Sequence, residues 1–236
     1  MLKLELRQNF TIDSHVLEDV VDSLKISDSD RIIEVGPGKG VLTQQILNKI
    51  RSVRDSSLLS YEVDTDLQED LESIRDKNKN FFNFKLQNFI EVKSKSGFNK
   101  CTGNIPYHIS EPLFFKFIDW NFDYVAIITG IKFARKMNGE FPSKITTIAK
   151  YLFDSKIVKE YDKNIFFPKS KVDSGLIIMK RKRTFNSKQD ELLSTIFANT
   201  DRKHLWLNKQ LGYEQSQIGQ IYHMDLDKLV NEIKSK

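Results

Sequence analysis

Between residues 31 and 129 of this 236-residue chain, short apolar runs alternate with helical patterns, and this alternation leaves little choice of fold. The runs are Arg31 to Val35, Leu58 to Val63, Phe81 to Leu86, Phe98 to Gly103 and Asp123 to Thr129. Between them lie helical spacings: Leu42, Ile46, Leu47 and Ile50, then Leu67, Leu71 and Ile74, then a helix with Pro112 in its first turn running to about Trp120. Another helix, with Val16, Leu17, Val20, Val21 and Leu24 facing inward, precedes them. Strands joined by helices pair in parallel, so the expectation is an α/β, Rossmann-like sheet with helices on both faces. In such a sheet ligands bind at the carboxyl ends of the strands.

Beyond residue 130 the pattern loosens. Short helices are expected over Phe133 to Met137 and Ile145 to Phe153, an exposed aromatic and basic loop over Asn164 to Val172, and a closing strand over Ser174 to Met179. Lys180 to Arg183 marks a boundary, and residues 184–236 carry only helical patterns. The expected division is a larger domain over residues 1–180 and a small helical one over 184–236.

Four residues concentrate chemistry at the end of the fourth run: Asn104, Ile105, Pro106 and Tyr107. A planar amine is a poor nucleophile because its lone pair is delocalised. An enzyme that alkylates one must accept hydrogen bonds from the amino hydrogens as charge builds on nitrogen. The Asn104 side-chain oxygen and the Ile105 carbonyl are two such acceptors. Pro106 stiffens the turn, and the Tyr107 ring offers a face for a flat base. A strand-ending turn with no chemistry would read the same in isolation.

Three further features support a ligand. Gly36-Pro37-Gly38-Lys39-Gly40 joins a strand to a helix, so main chain can approach a ligand at free helix N–H groups. Its spacing is neither the dinucleotide G-x-G-x-x-G nor a phosphate-binding P-loop. Glu62, 26 positions after Gly36, ends the second strand, where an acid can accept from both ribose hydroxyls. Phe166-Phe167-Pro168-Lys169-Ser170-Lys171 sets two aromatics beside cations, with one Phe expected inward and one outward.

Composition excludes several classes. No apolar run approaches the ~18 residues of a membrane span, and no signal peptide is expected. The single Cys101, expected in the core, rules out an internal disulfide, and with 4 His a metal site is not expected. A formal charge of +5 favours a polyanionic partner. A cytoplasmic monomer with no membrane association is the expectation.

In this order and spacing the motifs resemble those of the ribosomal RNA adenine dimethylases, the family of the Erm macrolide-resistance enzymes and the KsgA-type small-subunit enzymes. The likeness runs from Gln8 to about Lys180. It implies a class I methyltransferase sheet and S-adenosylmethionine as methyl donor. Gln8-Asn9-Phe10 matches the N-terminal motif, with Gln8, Asn9 and the main chain near Thr11 helping to hold the donor. Gly36 and Gly38 match the first donor-binding motif, and Glu62 the ribose-binding acid. Asn104 to Tyr107 matches the catalytic motif, with Asn104 also beside the donor, and Phe166 the aromatic that stacks on the target base. Where the family has Asp contacting the donor's adenine, this chain has Asn88, which accepts a hydrogen bond without charge.

The resemblance further implies ribosomal RNA as partner, contacted by Lys169, Lys171, Arg181, Arg183, Arg202 and Lys203. Ile105, the Phe133-Ala134-Arg135-Lys136 segment and the short chain favour the Erm branch, hence mono- or dimethylation of an adenine in large-subunit RNA and antibiotic resistance. Lys171-Val172-Asp173-Ser174 favours the KsgA-type branch, kept as the alternative. A non-catalytic ribosome-assembly factor with a methylase fold is the alternative from another class.

Overall fold

The computed structural model describes residues 10–11, 14–93, 97–141, 143–167 and 169–183. Its elements are β1 (Phe10–Thr11), α1 (Ser14–Leu24), β2 (Arg31–Val35), α2 (Val41–Ile50), β3 (Ser57–Glu62), α3 (Gln68–Asp76), β4 (Phe82–Leu86) and β5 (Lys100–Asn104). There follow α4 (Ser110–Asp119), β6 (Tyr124–Gly130), α5 (Ile131–Met137), α6 (Lys144–Leu152), β7 (Phe153–Tyr161), β8 (Phe166–Phe167) and β9 (Ser174–Arg181).

Seven strands form one sheet in the order β4-β3-β2-β5-β6-β9-β7, and β1 pairs with β8 in a separate ribbon. Strands β2 to β6 are mutually parallel, as the alternation requires, and β9 runs antiparallel between β6 and β7. Central strands are apolar on both faces because both are covered. Ile32, Leu58, Ala126 and Ile128 pack with α1 and α2, whereas Ile33, Cys101, Val125 and Ile127 pack with α4, α5 and α6. Phe114, Phe117, Phe122 and Phe153 fill the second layer as fully buried rings.

The strand β7 was not expected. Its Asp154, Lys156, Lys159 and Glu160 are exposed, and a register shift between Ile157 and Lys159 leaves Val158 45% exposed. Charges and a bulge are how an edge strand resists pairing with another chain, and they erase the apolar run that would betray it in sequence. Among the described residues no helix is long and apolar enough to cross a membrane. The expected helical domain over 184–236 lies outside the described residues.

Candidate active site

The parallel strands deliver their last residues to one edge of the sheet, and there a cleft is lined by Gly36, Gly38, Glu62, Asn88, Asn104 and Pro106. The glycine turn gives the cleft its floor. Gly36 and Gly38 have φ of 70° and 58°, left-handed values that a side chain resists, and a Cβ on Gly36 would point into open space. Gly40, at φ 77°, caps α2.

Glu62 ties that turn to β3. Its Oε2 accepts from the Gly38 N–H at 3.0 Å, and its Oε1 accepts from Val63 and Asp64 N–H at 2.8 and 2.9 Å. A carboxylate offers about four acceptor sites. Three are filled by main chain, so in this arrangement Glu62 has room for about one further hydrogen bond, not the two of a full ribose pair.

Glu34 does something other than line the cleft. It is wholly buried, and Oε2 accepts from the Thr43 and Ser60 hydroxyls at 2.7 Å each, fastening α2 and β3 to β2 beneath the glycine turn. Its Oε1 has no hydrogen-bond partner among the described residues. Burial pushes its carboxyl up from 4.5 to about 7; the two hydroxyls oppose that rise and the nearby Glu62 charge adds to it. Between those values the native state holds a proton that the unfolded chain has released, so stability falls as pH rises from about 4.5 to about 7. Glu34→Gln mimics the neutral form. Its urea midpoint is expected to drop less between pH 5 and pH 8 than that of the wild type; equal drops would show that Glu34 titrates normally.

Asn88 follows β4 and also faces the cleft. Its Oδ1 accepts from Ile90 N–H at 3.1 Å, and its amide donates to Glu91 Oε1 at 2.9 Å, so its orientation is fixed from both ends. Phe89 and Ile90 supply apolar wall beside it. The sequence reading missed that pair; two apolar residues directly after Asn88 were the available signal.

Asn104 ends β5, half-buried on the cleft. Gly103 before it has φ 153°, and a Cβ there would overlap the Val35 carbonyl, so β2 and β5 approach closely where they open onto the site. Ile105 is 1% exposed and its N–H donates to the Ile128 carbonyl at 2.8 Å, which pins the turn to β6. Tyr107 is half-buried in a single 3-10 turn over Tyr107–Ile109.

Two expectations need correction. Phe166 was expected to stack on a target base, but its ring is 2% exposed in the core cluster of α1 and α2. Strand pairing explains this: Thr11 pairs with Phe166, and Phe10 with Phe167, so β8 is held down against the lead-in. Phe166 therefore faces inward. Arg181 was expected to bind RNA, but it is a structural residue. Its guanidinium donates to the Phe122, Phe117 and Arg183 carbonyls and lies 4.6 Å from the Phe153 ring centroid. Burial, partly offset by Asp123, lowers it to about 10.

The reversal of β9 is the physical reason. Its first residue, Ser174, pairs with Gly130 at the site edge, and Lys180 pairs with Tyr124 at the opposite edge. Lys169 and Lys171 are exposed on the loop leading into the site edge, while Arg183, exposed and 4.4 Å from the Tyr151 ring, sits at the far end. Gln8, Asn9, Arg202 and Lys203 lie outside the described residues.

A parallel sheet with one reversed strand near its edge, a glycine turn after the first strand and an acid after the second define a class I methyltransferase, a fold that uses S-adenosylmethionine. The residues fit that group: glycines leave the floor open, and Glu62 keeps acceptor capacity beside it. The sequence profile of the ribosomal RNA adenine dimethylases matches residues 2–221. The chain belongs to that family.

Its relatives include ribosomal RNA small subunit methyltransferase A of Clostridium botulinum, 31% identical over 85% of this chain and 77% of the relative. The same-named protein of Mycoplasmopsis pulmonis is 29% identical over 94% of this chain and 89% of the relative. Among solved structures, a dimethyladenosine transferase from Plasmodium falciparum superposes with TM-score 0.69 at 23% identity, covering 85% of this chain and 78% of that one. The 23S rRNA methyltransferase ErmE gives 0.68 at 20% identity, covering 96% and 100%. These last two likenesses establish the fold alone. The relatives turn the reading from the Erm branch to the small-subunit branch, and the expectation of antibiotic resistance loses its support with it.

Proposed function

We propose that this chain transfers methyl groups from S-adenosylmethionine to the 6-amino group of adenine in small-subunit ribosomal RNA, acting as a cytoplasmic monomer. The observation that carries the reading is the single cleft in which Glu62, bonded to the glycine turn, and Asn104 share one wall-to-wall space. Gly36, Gly38, Glu62 and Asn88 would hold the methyl donor, which supplies a carbon made electrophilic by positive sulfur. Asn104 Oδ1 and the Ile105 carbonyl accept from the amino hydrogens of the target, keeping the nitrogen lone pair available. Tyr107 carries the base after it leaves its stack. No general base is required, because the ammonium formed loses its proton readily to water. Lys169 and Lys171, exposed at the mouth, supply phosphate contacts.

The test is transfer of labelled methyl to purified large- and small-subunit RNA and to immature subunits, followed by mapping of the modified base. Dimethyladenosine in small-subunit RNA or its immature particle is the expected result. Label confined to protein-free large-subunit RNA would return the chain to the Erm branch. Donor binding without transfer to any of them would point to another substrate, whereas no donor binding at all would leave an RNA-binding assembly factor as the better reading, one that the uncharged Asn88 would suit.

A further inference from the structure

Tyr107 is held by groups from three separate parts of the chain. Its hydroxyl lies 2.9 Å from Ser170 Oγ and 2.7 Å from Ser174 Oγ. Both serines are buried, at 4% and 0% exposure, although Ser170 sits between the exposed Lys169 and Lys171. Proton bookkeeping orders the contacts. Ser170 spends its one hydroxyl hydrogen on the Val172 carbonyl at 2.7 Å, so toward Tyr107 it accepts. Tyr107 therefore donates to Ser170, and Ser174 donates to Tyr107. The result is a directed chain from Ser174 through Tyr107 and Ser170 to Val172.

Gly130 completes the seat. A Cβ on Gly130 would stand 3.1, 3.3 and 3.5 Å from Cγ, Cδ1 and Cδ2 of Tyr107, so the ring lies face-down on its backbone. Gly130 has φ −57° and ψ 136°, values open to any residue. The absent side chain serves the ring, not the main chain. Gly130 and Ser174 are register partners across β6 and β9, so floor and hydroxyl come from one rung of the sheet.

We propose that Gly130, Ser170 and Ser174 are positioning residues that seat the Tyr107 ring for the target adenine, and that Ser170 joins this platform to the Lys169–Lys171 loop. The proposal rests on the methyltransferase reading and adds to it the device that sets the base. Phosphate contact by the two lysines bears on a loop whose buried member holds the catalytic ring, so RNA engagement and base seating are one event. Gly130 covers one face of the ring, so in this proposal the target base stacks on the opposite one.

The test compares wild type with Gly130→Ala, Ser170→Ala, Tyr107→Phe and the Tyr107→Phe/Ser170→Ala double variant on the immature small subunit. Ring shifts of a few tenths of an ångström are expected to cost about tenfold in kcat for Gly130→Ala and roughly five- to tenfold for Ser170→Ala, since reacting groups tolerate little misplacement. Donor affinity, measured by calorimetry, is expected to stay within about twofold of wild type because the latch lies outside the donor's wall. The double variant is expected to be no slower than Tyr107→Phe alone, since both break one chain. Folded, donor-binding variants with wild-type kcat, or losses that multiply in the double variant, would overturn the latch. If Gly130→Ala does not fold, Tyr107→Phe, which removes one oxygen, and the cycle with Ser170 still decide. Wild type that binds donor but labels no RNA would remove the function and the latch together, whereas active wild type with unaffected variants removes the latch only.

Discussion

Replacing Asn104 by Ala is expected to lower kcat for methyl transfer by about 10²–10³-fold, the loss typical when one group aimed at developing charge is removed. The amide is placed for this by features on either side. Close approach of Gly103 to the Val35 carbonyl fixes where β5 ends, and the Ile105 N–H bond to Ile128 fixes the turn that follows. Neither depends on the Asn104 side chain, so the variant is expected to keep its fold and its thermal midpoint within a few degrees. Its donor affinity is expected to fall less than tenfold, because Gly38, in the turn after β2, and Glu62, at the end of β3, are joined to one another directly. Single-turnover kinetics with labelled donor measure the chemical step, and calorimetry the binding. Wild-type single-turnover rates in the variant would remove Asn104 from the catalytic role.

What the sequence disclosed and what it concealed divide along physical lines. Strands such as Arg31–Val35 and Tyr124–Gly130 were legible because burial on both faces demands unbroken apolar runs, and a helix after each strand forces parallel pairing. The same logic places Gly36, Glu62, Asn88 and Asn104 at one edge, where the structure has them. Edge strand β7 was not legible, since Lys156, Lys159 and Glu160 are there to face water. Arg181 misled because a basic run states charge, not direction: only the reversal of β9 carries it away from the site. Phe166 misled because a motif aligns an aromatic without saying whether strand pairing with Thr11 tucks it inward. The latch on Tyr107 reaches 63 and 67 residues along the chain, a distance at which a serine leaves no local signature. The lean toward the Erm branch is outweighed for a related reason: Ile105 and the segment at 133–136 are short matches, whereas likeness to the small-subunit relatives runs across 85% of the chain.

Glu62 is the residue on which donor binding should depend most, and its replacement by Gln rather than Ala is the sharper experiment. Both carboxylate oxygens already accept main-chain hydrogens, from Gly38 on one side and from Val63 and Asp64 on the other. A Gln side chain can present an acceptor to only one side. Whichever way it turns, its NH₂ faces a main-chain N–H, donor against donor, at a position 4% exposed where water cannot relieve the conflict. Leaving a buried donor unsatisfied costs about 1–3 kcal/mol, and losing a charge-assisted bond to the ligand a further ~1.5–3 kcal/mol. The first cost is present with and without ligand and falls on stability; the second falls on binding and predicts donor affinity weakened by about 10- to 150-fold. The displaced glycine turn should also lower the thermal midpoint, which a purely ligand-facing carboxylate would not do. Titration of wild type and Glu62→Gln with S-adenosylhomocysteine, beside thermal melts without ligand, separates the two effects. An unchanged midpoint with weakened binding would mean that Glu62 serves the ligand alone. A dissociation constant within about threefold of wild type would mean that the donor is held elsewhere in the cleft.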